Sequence, residues 1–175
     1  MNTRLRNKLK KIKLLILDVD GILTNGEIIL DERGREIKMF NVRDGYGIVL
    51  FQKAGYKTAV LSARSSAAVT ARAKDLNITS VYQNARPKID VYTHLLRAWK
   101  MNDAHACYMG DDLPDMAILK RVGFSATVPN ASPEVKACVD YITKHEGGRG
   151  AVREVIELIL KIQKRWPTIL KTCGA

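Results

Sequence analysis

Two aspartates, Asp18 and Asp20, stand two residues apart at the end of an apolar run, Leu14-Leu15-Ile16-Leu17-Asp18-Val19-Asp20-Gly21. The run predicts a fully buried strand, and Gly21 predicts its end. Residues two apart on an extended backbone share a side, so the two carboxylates are expected to project together. One can act as a nucleophile while its neighbour moves protons, and together they ask for a cation. Taken alone, the pair is equally readable as a charged strand end.

Three further polar clusters follow predicted strands. Ser62 and Arg64 come after Lys57–Leu61, Lys88 opens a helix after Tyr82-Gln83-Asn84-Ala85-Arg86-Pro87, and Gly110-Asp111-Asp112-Leu113-Pro114-Asp115 follows Ala106–Met109. If the strands are parallel, all four clusters meet at the carboxyl edge of one sheet, where open α/β sheets place their ligands. Asp18, Asp20, Asp111, Asp112 and Asp115 would then share a crevice. Two carboxylates about 4 Å apart repel by roughly 4 kcal/mol at an effective dielectric near 20. Such crowding needs a cation, and an all-oxygen site selects Mg²⁺. Lys88 and Ser62 suit a phosphoryl group opposite the metal. The expected chemistry is phosphoryl transfer through an aspartyl phosphate, with Asp18 as nucleophile and Asp20 as proton donor and then base. Each residue also has a plainer role: Ser62 as a helix cap, Lys88 as a surface charge, Asp112 and above all Asp115 as capping or orienting groups.

The elements that must position these groups alternate along the chain. After the first strand, Thr24-Asn25-Gly26 is a hairpin signal. Residues 27–30 and 35–40 alternate around Asp31-Glu32-Arg33-Gly34 and predict a second hairpin. Helices are expected over 44–54, 65–76, 89–99, 114–122, 134–137 and 152–165, and strands over 57–61, 80–82, 106–109, 124–128 and 141–143. This order predicts an α/β fold: a Rossmann-like parallel sheet with helices on both faces, plus a small β-hairpin insertion and no cap domain. The chain of 175 residues is read as a basic N-terminal arm or first helix (1–13), one domain (14–165) and a C-terminal tail (166–175).

Composition narrows the classes. No segment approaches the roughly 18 consecutive apolar residues of a membrane span. The basic start is followed by too short an apolar run for a signal peptide. Cys107, Cys138 and Cys173 form no C-x-x-C pair and suit a reducing compartment, so a cytoplasmic location is expected. His94, His105 and His145 are too scattered for a zinc site. The net charge of +11 is uneven, with Arg4, Arg6, Lys8, Lys10, Lys11 and Lys13 all at the start. A nucleic-acid-binding arm would explain that charge, but no DNA- or RNA-reading motif accompanies it. The rest suits steering of a small anionic substrate.

On Asp18-Val19-Asp20-Gly21, Leu61-Ser62-Ala63-Arg64, Lys88 and Gly110-Asp111-Asp112, residues 13–162 resemble the haloacid dehalogenase superfamily of phosphatases. That resemblance implies Mg²⁺ held by the carboxylates of Asp18 and Asp111 and the backbone carbonyl of Asp20. Three stretches sharpen it: Phe40-Asn41-Val42-Arg43-Asp44-Gly45-Tyr46-Gly47, Gly110 to Asp115, and Gly147-Gly148-Arg149-Gly150-Ala151-Val152-Arg153-Glu154. They are similar to the cap-less 3-deoxy-D-manno-octulosonate 8-phosphate phosphatases. This implies a sugar acid phosphate substrate and a lipopolysaccharide-precursor role. It also implies a homotetramer joined through the hairpins, with the segment at Gly148 and Arg149 reaching a neighbour's site. Substrate contacts implied are Asp20, Asn41, Val42, Arg43, Asp44, Gly45, Arg64, Arg72 and Lys88. Read alone, Arg72 is a surface residue and Gly147 to Gly150 a mobile loop. Arg43 and Arg64 could pair with a sugar-acid carboxylate. Ser62-Ala63-Arg64 stands where many relatives have glycine as the middle residue.

Two rivals remain at this point. A phosphatase for a nine-carbon sugar acid phosphate differs by one carbon, worth about 1–3 kcal/mol in a pocket. A phosphoaspartate receiver domain shares the sheet, the metal and the lysine, but its acidic pair would be adjacent residues after the first strand.

Overall fold

The basic start of the chain is folded onto the rest. In the computed structural model, which describes residues 3–172, α1 (Thr3–Leu9) is followed by β1 (Leu14–Leu17). Leu9 and Ile12 are fully buried, and Lys8 pairs with Asp140 at 2.5 Å. The segment expected as an arm is therefore a packed helix and linker over its described part. Met1 and Asn2 of that arm, and Cys173 to Ala175 of the expected tail, lie outside the described residues.

β1 is the inner strand of a six-stranded parallel sheet. The other strands of that sheet along the chain are β4 (Lys57–Leu61), β5 (Ser80–Tyr82), β6 (Ala106–Met109), β7 (Phe124–Thr127) and β8 (Tyr141–Ile142), after the hairpin strands β2 (Ile29–Leu30) and β3 (Glu36–Ile37). The sheet order is β5-β4-β1-β6-β7-β8. Leu17 lies opposite Val60 on one side and Met109 on the other. The chain thus steps outward from β1 to β4 and β5, then returns across β1 to β6. That reversal leaves a crevice at the carboxyl end of β1.

Right-handed crossovers put successive helices on the face set by the direction of travel. α2 (Val42–Lys53) and α3 (Ala67–Asp75) cover one face, where α7 (Ala151–Ile162) packs on α2 and α1 packs on α7. α4 (Lys88–Ala98), α5 (Met116–Leu119) and α6 (Pro133–Cys138) cover the other. Along α7, Val152, Val155, Ile156, Ile159 and Leu160 are fully buried, the three-and-four spacing of an amphipathic helix.

Five expectations are corrected. Thr24-Asn25-Gly26 makes no hairpin; Thr24 N–H donates to the Val19 carbonyl and closes the turn Val19–Leu23 instead. Helix α2 starts two residues early, because Asn41 Oδ1 accepts the N–H groups of Arg43 and Asp44 and caps it there. The helix expected from Pro114 is a single tight turn, Leu113–Asp115, followed by the short α5. The segment read only as a C-terminal tail continues as α8 (Trp166–Thr172) with Ile169 buried. Before it, α7 stops at Ile162, because Lys164 takes a positive φ of 59° and the Gln163 amide donates to the carbonyls of Leu9 and Ile12. The hairpin around Asp31 to Gly34 is present, though only Ile29–Leu30 pairs with Glu36–Ile37. Among the described residues no helix is long and apolar enough to cross a membrane.

The packing of residues 9–13 yields a prediction. Ile12→Ala should lower stability by about 2–4 kcal/mol in a urea unfolding curve, whereas a free arm would give a change near zero.

Candidate active site

The carboxyl ends of β1, β4 and β6 and the start of α4 converge on Asp18. Its backbone N–H donates to the Met109 carbonyl at 3.0 Å, extending the β1–β6 ladder by one residue. The turn that follows is possible because Gly21 takes φ +85°, and because it has no side chain: a Cβ there would lie 2.0 Å from Asp111 Oδ2. Asp18 and Asp111 are thereby drawn together. Oxygens of Asp18, Asp111 and Asp115 lie within 4.8 Å of one another.

Lys88, the first residue of α4, answers this charge. Its Nζ is 2.9 Å from Asp18 Oδ1 and 2.6 Å from Asp115 Oδ1, and its side chain is 4% exposed. Burial alone would push the ammonium down, but the two carboxylates outweigh it and hold it above the ordinary lysine value. Burial, then the charge of Asp115, pushes the Asp18 carboxyl up to about 7 against the pull of Lys88. Asp111 is likewise pushed up to about 7, by burial and then by Asp115 and Asp112.

Asp115 is the hub of the cluster. Oδ1 accepts from Lys88 and from the buried Tyr108 hydroxyl at 2.5 Å, and Oδ2 accepts the N–H groups of Asp111 and Asp112 at 3.1 and 3.3 Å. Gly110 makes room for it, since a Cβ there would meet Asp115 Cγ at 2.5 Å. Asp115 therefore orients Lys88 and the Asp111 loop, while Asp112 is exposed. The pleat of β6 hides Tyr108 from a reading based on charge patterns; only its place two residues before Gly110 signals it.

The residues present suit a hard divalent cation. All donors are oxygens, the ordinary ionisation of Asp18 and Asp111 is suppressed without one, and the buried Asp111 Oδ1 has no hydrogen-bond partner.

Asp20 faces a different set. Lys38 Nζ donates to its Oδ1, and Arg64 Nη1 is 3.6 Å from its Oδ2. Glu36 accepts from Arg64 at 2.7 Å and lies 3.2 Å from Lys38. Lys38 and Glu36 were missed by charge-pattern reasoning because they stand in an exposed-looking hairpin. Ser62, 3% exposed, ends β4 level with Val19 by extension of the strand register, and its Oγ accepts the Arg64 N–H.

The remaining expected site residues are placed as follows. The Asn41 amide donates to the Gly148 carbonyl at 3.3 Å. Asp44, 1% exposed, turns inward and accepts the N–H groups of Gly150 and Arg153. Val42 is 79% exposed. Gly45 leaves space for the Arg72 guanidinium, whose Nη2 would lie 2.2 Å from a Cβ at that position. Arg72 also pairs with Asp75 at 2.5 Å. Arg43 and Arg149 line a cavity of about 620 Å³ beside α7 together with His145 and Glu154, and neither Asp18 nor Lys88 is part of its lining. Gly147 and Gly148 are not a free loop. Gly148 N–H donates to the Ile22 carbonyl, and a Cβ on Gly147 would lie 1.8 Å from the Gly21 carbonyl oxygen. The glycines brace the turn after Asp18.

Comparison with known proteins gives a consistent picture. A model of the haloacid dehalogenase-like hydrolases matches residues 56–156. The 3-deoxy-D-manno-octulosonate 8-phosphate phosphatase KdsC of Escherichia coli strain K12 is 41% identical over 156 residues, 89% of this chain and 83% of that protein. The crystal structure of the Moraxella catarrhalis 3-deoxy-D-manno-octulosonate 8-phosphate phosphatase, in complex with magnesium ion, phosphate ion and KDO, superposes with a TM-score of 0.95. It is 41% identical, and the match covers 98% of this chain and 99% of that one. The cobalt-bound phosphatase of Haemophilus influenzae superposes with a TM-score of 0.87 at 37% identity, covering 90% and 92%.

The raised carboxyls set a pH trend for the metal-free protein. Asp111 binds its proton more tightly folded than unfolded, so stability falls as pH rises from about 4 toward 7. Asp111→Asn should therefore melt higher than the parent at pH 8 without metal, by about 2–4 °C for each kcal/mol recovered. It should also lose the stabilisation that Mg²⁺ gives the parent. A lower melting temperature in the metal-free variant would contradict the assignment.

Proposed function

The chain belongs to the haloacid dehalogenase-like hydrolases, and from that membership we propose the following reading of its reaction. It is a Mg²⁺-dependent phosphoric monoester hydrolase that releases phosphate from 3-deoxy-D-manno-octulosonate 8-phosphate, a step toward lipopolysaccharide precursors. The observation that carries this is the convergence of Asp18, Lys88, Asp111 and Asp115 at one strand end, in a chain 41% identical over most of its length to a phosphatase of that name.

The side chains divide the work. Asp18 attacks phosphorus as the bond from phosphorus to the substrate's C8 oxygen breaks, and that oxygen takes a proton from Asp20. Asp20 then takes a proton from water, whose oxygen attacks phosphorus and frees both phosphate and Asp18. Lys88 and Ser62 bind the non-bridging oxygens throughout. The carboxylates of Asp18 and Asp111 and the backbone carbonyl of Asp20 would hold Mg²⁺, which supplies neutralisation of charge on the transferring group. Asn41, Val42, Arg64 and Arg72 contact the sugar acid, with Arg64 matched to a carboxylate. The buried Asp44 positions this segment by holding the Gly150 and Arg153 N–H groups, and Arg43, on the same cavity as Arg149, serves beside that residue.

The site is completed by assembly. Ile28, Leu30, Ile37, Met39 and Val42 are 48 to 79% exposed on and beside the β2–β3 hairpin. By register Leu30 lies opposite Glu36 and Ile29 opposite Ile37, so both faces of the hairpin carry exposed apolar side chains. This much exposed apolar surface on one hairpin supports its use as the interface of a tetramer. Arg149 lines a cavity whose lining includes neither Asp18 nor Lys88, which supports its use, with Gly148, at a neighbour's site. The thiols of Cys107 and Cys138 are free, which suits a reducing cytoplasm.

Phosphate release from a panel of eight- and nine-carbon sugar acid phosphates, simple sugar phosphates and nucleotides tests the substrate. The eight-carbon compound should be preferred, in a Mg²⁺-dependent reaction that Asp18→Asn lowers by at least about a thousandfold. Preference for the nine-carbon compound would overturn the substrate while leaving the chemistry. In sedimentation, the parent should run as a tetramer and the double variant Leu30→Asp, Met39→Asp as a smaller species; a monomeric parent contradicts the assembly.

A further inference from the structure

Asp20 receives its closest contact from the hairpin rather than from the sheet edge. The Lys38 side chain is 2% exposed, its Nζ donates to Asp20 Oδ1, and Glu36 Oε1 lies 3.2 Å away. Arg64 is the looser partner, 38% exposed and 3.6 Å from Asp20 Oδ2. Around Asp20 two cations alternate with a second carboxylate, so the ring is neutral and Glu36 braces both cations.

The side chains of this strand face the reverse of what burial of apolar surface alone would choose. Ile37 and Met39 are 48% and 67% exposed, while Glu36 and Lys38 turn inward. Successive residues of a strand point to opposite faces. If Ile37 and Met39 are turned outward to meet neighbours, Lys38 is necessarily turned in toward Asp20.

We propose that Lys38 is a positioning residue for Asp20, and that the hairpin β2–β3 through it aims the group that protonates the leaving oxygen. This rests on the phosphatase reading above. In the first half-reaction the bond from Asp18 to phosphorus forms and the bond from phosphorus to the alkyl oxygen breaks. The electron pair stays on that oxygen, which takes the proton of Asp20. Lys38 makes and breaks no bond. It fixes Oδ1, leaving Oδ2, with its longer contact to Arg64, to carry the proton.

The test varies the leaving group. An alkoxide must be protonated as it departs, whereas p-nitrophenolate leaves without help, and kcat/KM reports only the steps up to phosphoryl transfer. Full-length Lys38→Met should lose about tenfold or more in kcat/KM on the best alkyl phosphate that the parent accepts. Its loss on p-nitrophenyl phosphate should stay below about threefold. Lys38→Arg should recover part of the alkyl loss, and Asp20→Asn should show the same split more strongly. Equal losses on both substrates, or no loss on either, would overturn the proposal. Should Lys38→Met not fold, the split is read in Lys38→Arg, where equal losses overturn it in the same way. Which alkyl phosphate the parent prefers is read separately, so a wrong substrate and a wrong role for Lys38 give different results.

Discussion

Gathering the oxygens of Asp18, Asp111 and Asp115 within 4.8 Å of one another is unfavourable, and the surrounding structure is arranged to make it tolerable. Lys88 supplies a buried cation, pinned between Asp18 and Asp115. Tyr108 and two backbone N–H groups saturate Asp115. These contacts hold the geometry without neutralising it, and the raised carboxyls of Asp18 and Asp111 measure what is left. A hard divalent cation removes that remainder. The same deficit that weakens the metal-free protein is what gives the loaded site its affinity for metal and phosphoryl oxygen.

Glycines set how closely the parts approach. Gly21 admits Asp111, Gly110 admits Asp115, and Gly147 lies against the Gly21 carbonyl. Through these contacts the loop before α7 supports the turn after β1. Asp44 ties the start of α2 to the same loop by accepting the N–H groups of Gly150 and Arg153. Asp18, the hairpin exit and the Gly147–Gly150 segment therefore form one connected unit, which lets a chain without a cap domain hold the groups around Asp18 in order.

Much of this was legible beforehand, and for physical reasons. The central strands are short, largely buried apolar runs, so Lys57–Leu61 and Ala106–Met109 could be bounded to the residue, while the first strand, read on toward Gly21, stops at Leu17. The polar clusters then fall at their carboxyl ends by topology. What escaped notice depends on partners distant in sequence. Lys38 reads as a solvated hairpin charge because its use is set by Asp20, eighteen residues away. Gly147 to Gly150 read as a mobile loop because the atoms they touch, in Gly21 to Thr24, are more than a hundred residues earlier. The Asn41 cap is local, and there the residue type did carry the signal, since asparagine favours helix starts. The positive φ of Lys164 carried none, because lysine has no preference for it. The tail missed its helix because Trp166 packs on Arg153 and Lys161 of α7, a tertiary contact.

The central claim is that Asp18 becomes covalently phosphorylated. The direct measurement is acid quenching of the enzyme during turnover of substrate carrying radiolabelled phosphate, followed by peptide mapping. Label should appear on the peptide containing Asp18, be absent in Asp18→Asn, and be chased by unlabelled substrate within a few turnovers. A fully active enzyme that never carries label, or label found on a peptide lacking Asp18, would contradict it.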